Sequence, residues 1–196
     1  ELAIRIAKKF NGEVISADSR AIYRGLDVGT AKPTSEEQQG IAHWGIDIVD
    51  PGERFTAANF KVYAQRKISE IRSRGHLPIM AGGTGLYIDS VLYDFKFTAY
   101  SNNLDERRKL ENKSLEQLAY HCEKNNIKLP KNIKNKRHIV SAILRKGEDP
   151  LKNDKIISNT ILVGIATDRD ILRSRIEERA KNIVSNTTIN EAMRAA

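Results

Sequence analysis

The chain has 196 residues, with 33 Lys and Arg against 25 Asp and Glu, so its formal net charge is +8. This length buries one good core with room for a small appended subdomain, and the basic balance favours polyanionic partners, although a solvated basic surface explains the charge equally well. A single cysteine excludes an internal disulfide framework, and the absence of any apolar run near ~20 residues excludes a spanning helix, so we expect a cytoplasmic protein without membrane contact.

Helices and strands alternate along most of the chain. The predicted elements are, in order, a helix at 1–10, a buried strand at 13–17, a helical turn at 18–24, a strand at 45–49, a helix in "TAANFKVYAQRKISEIRSRG", a strand at 77–81, a helix in "GGTGLYIDSVLY", a strand at 160–167 and a helix from Arg169. This alternation predicts an α/β fold with a parallel sheet flanked by helices. Active sites in such folds lie at the carboxyl ends of the strands.

The strand pattern disappears between about Phe95 and Ser158, where the chain is helical and charged. We expect a helical insertion at 95–158 within an α/β core made of 1–94 and 159–196. Residues 124–147 of this insertion carry eight Lys or Arg and no Asp or Glu. Such a run is often a solvated face, but its confinement to the insertion favours contact with a polyanion, because each basic residue that faces a phosphate releases counterions.

Asp18 lies where the first strand gives way to a helical turn. Asp18 or Ser19 caps that turn in one interpretation. In the other, Asp18 is a carboxylate at the mouth of a cleft that accepts a proton from a nucleophile. Both interpretations hold together if Ser19 is the cap.

A glycine-rich turn, "MAGGTGLY", follows the strand at 77–81. Gly82, Gly83 and Gly85 leave backbone amides unobstructed where a strand enters a helix, and Thr84 adds a hydroxyl, which suits a phosphate. Tight packing of helix against strand explains these glycines nearly as well.

Arginines at helical spacing form a third candidate site, after the last predicted strand. Arg169, with Arg173 or Arg175 and Arg179, is suited to bidentate phosphate contact, although Glu177 and Glu178 are also placed to neutralise these arginines in surface pairs. The four histidines show no metal-ligand spacing, so no zinc site is predicted.

Four segments, "ISADSRAIYRGLDVGTAKP", "HWGIDIVDPGERFTAANF", "LPIMAGGTGLYIDSVL" and "NKRHIVSAI", together resemble the tRNA dimethylallyltransferase family, also called tRNA isopentenyltransferases. The resemblance implies a P-loop-kinase-like parallel α/β fold with a helical insertion that grips the anticodon stem-loop of tRNA. It implies transfer of a dimethylallyl group from dimethylallyl diphosphate to N6 of adenosine 37, 3′ of the anticodon, with Mg²⁺ as cofactor. We expect the enzyme to act as a monomer.

The resemblance also assigns roles to individual residues. Asp18 matches the family's general base, and Thr84 matches a position that contacts substrate near the reaction centre. Lys32 lies in the shared "GTAKP" turn, where turn geometry explains it more safely than phosphate or tRNA contact. The positions that match tRNA-contacting segments are Asp18, Ser19, Arg20, Ala21, Arg137, His138, Ile139, Val140 and Ser141, and the predicted phosphate ligands are Gly82, Gly83, Thr84 and Arg169.

The sequence departs from the family pattern in ways that bear on activity. The family's phosphate-binding loop, Gly-x-x-x-x-Gly-Lys-Ser/Thr, precedes the helix that begins here at Glu1, and the 196 residues contain no such loop. These residues alone are therefore expected to be inactive or nearly so, and to contain no metal ligand. Ser141 stands where the family usually has an arginine.

Other functions remain open from the sequence. A nucleotide or metabolite kinase of the same fold would use Asp18 to receive a hydroxyl proton, and an adenylate isopentenyltransferase would act on free nucleotide. A non-catalytic RNA-binding relic would keep only the insertion. The "DSRAIYRG" segment and the basic insertion favour the tRNA-modifying enzyme.

Overall fold

The structure, a computed structural model, describes residues 1–97, 104–148, 151–184 and 186–195. Its elements in chain order are α1 (Leu2–Phe10), β1 (Gly12–Ser16), α2 (Ser35–Gln38), β2 (His43–Trp44), α3 (Ala57–Ser73), β3 (Leu77–Ala81), α4 (Gly85–Leu92), α5 (Leu104–Glu111), α6 (Leu115–Lys124), α7 (Lys136–Leu144), α8 (Arg169–Ile183) and α9 (Asn186–Ala195). No helix in these ranges is both long and apolar enough to span a bilayer.

The chain divides into two compact units. The first unit contains Glu1–Asp94 and Asp154–Ala196, and the second contains Phe95–Asn153. Residues 154–158, which the sequence analysis assigned to the insertion, belong to the first unit, and residues 98–103 and 149–150 of the predicted insertion lie outside the described residues.

A three-stranded parallel sheet in the order β2-β1-β3 organises the first unit. β1 is the central strand and pairs with β3 along its whole length, from Gly12 opposite Leu77 to Ser16 opposite Ala81. Val14 and Ile15 are buried because helices cover a central parallel strand on both faces. The predicted α/β fold class is confirmed.

α3 shows why these residues form a helix that packs against the sheet. Thr56 begins it with a capping box, in which the Asn59 amide donates to Thr56 Oγ1 at 3.2 Å and the Thr56 amide donates to Asn59 Oδ1 at 3.0 Å. Phe60, Ala64 and Ile71 then fall on one face at helical spacing and are fully buried.

The strand predicted at 45–49 is wrong in extent. Strand pairing with β1 ends at Trp44, and only an isolated bridge between Tyr23 and Val49 continues it. Gly45 and Asp47 have φ angles of +84° and +54°, in the left-handed region that a strand does not use. The backbone therefore turns away from the sheet at the predicted strand.

The strand predicted at 160–167 is also wrong. These residues form no regular structure, and Ile161 and Ile165 are 90% and 74% exposed. A strand requires a neighbour for its backbone groups, and among the described residues the sheet ends at β3. The apolar pattern is therefore present without the pairing that would make it a strand.

The second unit is a small helical cluster of α5, α6 and α7. Residues 104–126 are divided into two helices at Ser114, which begins α6 because its hydroxyl accepts a hydrogen bond from the Gln117 amide at 3.1 Å. The buried side chains that hold the cluster together are Leu110, Leu118, Cys122, Ile139, Val140, Ile143 and Leu144. Burial raises the pKa of the Cys122 thiol, the only cysteine in the chain.

A buried carboxylate ties the amino ends of the strands together. Glu13 of β1 is 6% exposed. Its oxygens accept hydrogen bonds from Arg74 at 2.8–3.1 Å and from Trp44 Nε1 at 2.6 Å, and Oε1 lies 2.7 Å from His76 Nδ1. The Arg74 hydrogen bonds outweigh burial and, with Trp44 and His76, lower the pKa of Glu13 from 4.5 to about 2. The charged form of Glu13 therefore stabilises the fold.

We expect Glu13→Gln to lower the free energy of unfolding by about 3 kcal/mol at neutral pH, because it breaks a buried ion pair. The folded-state pKa lies below the unfolded one, so the contribution is complete above pH 4.5 and is lost as pH falls toward about 2. Urea unfolding at several pH values measures this. The difference between wild type and variant should shrink across that window, whereas exposed Glu177→Gln should change little. A difference independent of pH would contradict the assignment.

Candidate active site

The carboxyl ends of β1 and β3 are held together just before Asp18. The Ala17 amide donates to the Ala81 carbonyl at 2.8 Å, and the Thr84 amide donates to the Ala17 carbonyl at 3.1 Å. Gly82 fits between them only because it has no side chain, since a Cβ there would lie 2.3 Å from the Ala17 carbonyl oxygen. The two loops that carry the predicted site therefore leave the sheet side by side.

Asp18 caps the turn that follows β1. Its Oδ1 accepts hydrogen bonds from the amides of Arg20 at 2.8 Å and Ala21 at 3.4 Å. Asp18, not Ser19, is thus the cap, which corrects the combined interpretation from the sequence. Oδ2 receives no hydrogen bond from any residue that the structure describes, and the side chain is half-exposed. One oxygen therefore fixes the carboxylate while the other remains available to a ligand.

Thr84 links the glycine-rich turn to Asp18's neighbour. The Ser19 amide donates to Thr84 Oγ1 at 3.0 Å, and the Thr84 hydroxyl donates to Ser19 Oγ at 3.2 Å. The structure thus places Thr84 next to the turn that carries Asp18. The sequence alone gave both residues as candidates but could not show that they lie close together. Because the Thr84 amide already binds Ala17, a phosphate would bind Thr84 through its hydroxyl, in exchange for the hydrogen bond to Ser19 Oγ.

Tyr87 is a site residue to which the sequence analysis gave no role. It is 4% exposed and stacks on Phe60 with ring centroids 4.2 Å apart. Burial first, then the nearby Tyr23 and Asp18, raises the pKa of Tyr87 to about 12, so the phenol stays neutral. The signal available in the sequence was its position three residues after Thr84, one helical turn into α4.

Lys32 has a structural role, as the sequence analysis preferred. Its side chain is 5% exposed, and its ammonium group donates to the Tyr23 carbonyl at 2.5 Å, to Asp27 at 2.6 Å and to Asp47 at 2.5 Å. Burial alone would lower the pKa of Lys32, but the two carboxylates raise it. All three ammonium hydrogens are therefore committed within the protein.

Arg169 stays a prediction. It is the first residue of α8, where the Asp168 carboxylate accepts from the Asp170 amide at 2.9 Å, and its side chain is exposed. No contact between Arg169 and the loop of Thr84 is seen among the described residues. The same holds for the exposed Arg173, Arg175 and Arg179, which share its helix.

Some of the residues predicted to contact tRNA have buried side chains. Ala21 is 3% exposed, and Ile139 and Val140 lie in the core of the second unit. Because these side chains are buried, a contact of these three residues with tRNA would be made by their backbone, and the prediction for them stays a prediction. Arg137 and His138 are exposed at the start of α7.

A shallow cleft lies at the amino end of α7. Glu111, Asn135, Lys136 and Arg137 line it, and Asn135 Oδ1 caps the helix by accepting from the Arg137 amide at 3.0 Å. The eight basic residues of segment 124–147 are all exposed or half-exposed; they are Lys124, Lys128, Lys131, Lys134, Lys136, Arg137, Arg145 and Lys146. The second unit therefore presents a basic surface.

The described residues form no metal centre of their own, since no three of their His, Cys, Asp and Glu side chains cluster closely enough to hold an ion. Near the glycine-rich turn they offer one carboxylate, that of Asp18, and the hydroxyls of Ser19 and Thr84. These are oxygen donors of the kind that Mg²⁺ prefers, but too few to bind it without other ligands.

Comparison with known proteins identifies the family. The model for "IPP transferase" matches residues 21–196, which is most of the chain. The chain belongs to the IPP transferase family. The resemblance found in the sequence motifs is confirmed by this match.

Curated members of the IPP transferase family are similar over nearly the whole chain. The tRNA dimethylallyltransferase of Staphylococcus carnosus is 39% identical over 215 residues, which cover 97% of this chain and 66% of that protein. The tRNA dimethylallyltransferase of Bacillus subtilis is 36% identical over 207 residues, covering 98% of this chain and 66% of that protein. The chain thus spans just under two thirds of the length of these relatives.

Solved structures of the family agree with the fold. A tRNA isopentenylpyrophosphate transferase from Bacillus halodurans superposes with a TM-score of 0.68 at 35% identity, covering 98% of this chain and 64% of that one. The corresponding enzyme from Staphylococcus epidermidis gives a TM-score of 0.64 at 34% identity, covering 98% and 67%. A eukaryotic dimethylallyltransferase at 21% identity, with a TM-score of 0.73, shows the shared fold alone.

The close approach at Gly82 makes a direct test of this geometry. We expect Gly82→Ala to lower the free energy of unfolding by about 1–3 kcal/mol, because the new methyl group collides with Ala17 backbone atoms. Gly83→Ala is the matched control, since nothing lies within 4 Å of a Cβ there. Urea unfolding measures both. Equal stability of the two variants would show that the strand ends are farther apart than described.

Proposed function

We propose that the complete protein transfers a dimethylallyl group from dimethylallyl diphosphate to N6 of the adenosine 3′ of the anticodon in tRNA. The observation that carries this proposal is the Asp18 carboxylate, held at the end of β1 by Oδ1 with Oδ2 left available. The names of the relatives, tRNA dimethylallyltransferases, support the same reaction.

Asp18 acts as the general base in this proposal. The exocyclic amine of adenine is a weak nucleophile. It forms a bond from N6 to C1 of the dimethylallyl group while the bond from C1 to the diphosphate oxygen breaks. The amine must then lose a proton, which passes to Asp18 Oδ2, and diphosphate leaves as the anion. A positioned base of this kind contributes roughly 10²- to 10⁴-fold to the rate. The fixed Oδ1 supports the role because it limits rotation of the carboxylate.

The glycine-rich turn binds the phosphate end of the donor. Gly82 and Gly83 supply backbone near the amino end of α4, and Thr84 supplies its hydroxyl. Arg169 is a further phosphate ligand. Mg²⁺ accompanies the diphosphate, because this ion is usually held by substrate phosphates together with one or two carboxylates.

The tRNA contacts come from two surfaces. Ser19 and Arg20 lie beside Asp18, with Ala21 contributing backbone only. Arg137, His138 and Ser141 contribute from α7, and Ile139 and Val140 shape that helix from its buried side. We propose that the protein acts as a monomer in the cytoplasm, where its tRNA substrate is found.

The test is transfer of labelled dimethylallyl to an anticodon stem-loop by the complete protein from this reading frame, with the 196 residues assayed alongside. Transfer by the complete protein supports the proposal. Tight stem-loop binding without transfer would indicate an RNA-binding relic. Transfer to free nucleotide instead, or phosphorylation of a small metabolite, would indicate the other enzymes of this fold.

Two variants of Asp18 separate its roles in the same assay. Asp18→Asn keeps an oxygen for the amides of Arg20 and Ala21 but cannot accept the proton, whereas Asp18→Ala loses both functions. We expect both to lose about 10²- to 10⁴-fold in transfer with little change in stem-loop affinity. Full activity in Asp18→Asn would show that Asp18 only caps the turn and is not the general base.

The basic surface at α7 is tested by salt dependence. Replacing Lys136 and Arg137 together with Ala should weaken stem-loop binding and flatten its slope against salt by about two ion equivalents. The control replaces Lys9 and Arg72, exposed residues in the last turns of α1 and α3. An unchanged slope in the first variant would remove this surface from the tRNA interface.

A further inference from the structure

Glu191 of α9 is a buried carboxylate that binds groups far away in sequence. It is 7% exposed. Its Oε1 accepts from the Val28 amide at 2.9 Å and its Oε2 accepts from the Gly29 amide at 3.0 Å. Burial alone would raise the pKa of Glu191, but the amides of Gly29 and Val28, together with Lys32, lower it. The carboxylate is therefore charged and fully engaged with one loop.

That loop, residues 26–33, is closed on itself. The Ala31 amide donates to the Val28 carbonyl at 3.0 Å, and the Lys32 amide donates to the Asp27 carbonyl at 3.0 Å. α9 packs closely on it, since a Cβ at Gly29 would lie 3.2 Å from Thr188 Cγ2 and 3.5 Å from Glu191 Oε2. Glu191 thus binds a compact turn.

Lys32 connects the 26–33 loop to the turn that carries Asp18. Its buried ammonium group binds the Tyr23 carbonyl and the Asp47 carboxylate. The Asp47 amide donates to the Ala21 carbonyl at 3.2 Å, and the Ala21 amide donates to Asp18 Oδ1. Hydrogen bonds and the short backbone segments between them therefore connect Glu191, through the 26–33 loop and Lys32, to the carboxylate of Asp18.

We propose that Glu191 is a positioning residue, which anchors the 26–33 loop and thereby keeps Asp18 in its reactive orientation. Its kinetic consequence rests on the proposed transfer reaction, whereas the anchoring itself does not. Two adjacent backbone amides, those of Val28 and Gly29, converge on the buried Glu191 carboxylate, which is the only side-chain acceptor that the described structure gives them. A misplacement of a catalytic group by about 1 Å costs up to about 10²-fold in rate.

The test uses the complete protein with Glu191→Gln and Glu191→Ala. Exposed Glu178→Gln on α8 is the matched control, because it removes the same charge without breaking a contact in the described structure. We expect Glu191→Ala to lower kcat by about 10- to 100-fold, and Glu191→Gln by less, because its amide oxygen still accepts from one of the two amides. Stem-loop affinity should stay within about threefold of wild type.

Hydrogen exchange supplies a readout that a general loss of stability would not reproduce. Amides of residues 18–33 should exchange faster in the Glu191 variants, while those of β1 and β3 keep their protection. Faster exchange throughout the first unit, or a kcat like that of wild type in Glu191→Ala, would overturn the proposal. If Glu191→Ala does not fold, Glu191→Gln gives the same comparison.

The two proposals fail differently in these experiments. If the wild-type protein transfers no dimethylallyl group, the proposed function is wrong and exchange alone decides the anchor. Rapid exchange confined to residues 18–33 in Glu191→Gln then supports it, and unchanged exchange rejects it. If wild type transfers and Glu191→Ala transfers equally, only the positioning role is lost.

Discussion

The contact between Gly82 and the Ala17 backbone sets the spacing on which the candidate site depends. Parallel pairing carries β1 and β3 to the same edge of the sheet, but pairing alone leaves the loops beyond it free to diverge. The missing side chain at Gly82 lets the Thr84 amide reach the Ala17 carbonyl, and the Thr84 hydroxyl then reaches Ser19, 65 residues earlier in the chain. The position of Asp18 therefore depends on this backbone contact at the neighbouring Ala17.

Buried charges serve opposite purposes at the two ends of the sheet. At the amino ends, Glu13 is surrounded by Arg74, Trp44 and His76, so its network joins strands and contributes to stability. At the carboxyl ends, Lys32 is enclosed by the backbone and carboxylates of loops. Ionic contacts there join loops that are separate in sequence.

Sequence periodicity predicts the helices and strands that depend on local apolar spacing. It fails where the structure of a segment depends on contacts with residues far away in the sequence. β1, α3 and β3 follow from apolar spacing and flanking caps. The run at 160–167 has the same apolar character, yet it lacks a neighbour to pair with in the described sheet. The left-handed backbone at Asp47 has no sequence signature. Motif resemblance singled out Asp18 and Thr84 as candidates, whereas it gave no sign of Glu191, because the partners of Glu191 are backbone amides more than 160 residues away.

The single cysteine has a practical consequence for studying this protein. Cys122 is fully buried in the helical unit and its thiol pKa is raised, so it reacts slowly with maleimides and other thiol reagents. A cysteine introduced on an exposed position of either unit will therefore be modified selectively in the native background. Paired fluorophores attached in this way would report the distance between the two units in solution as RNA is added.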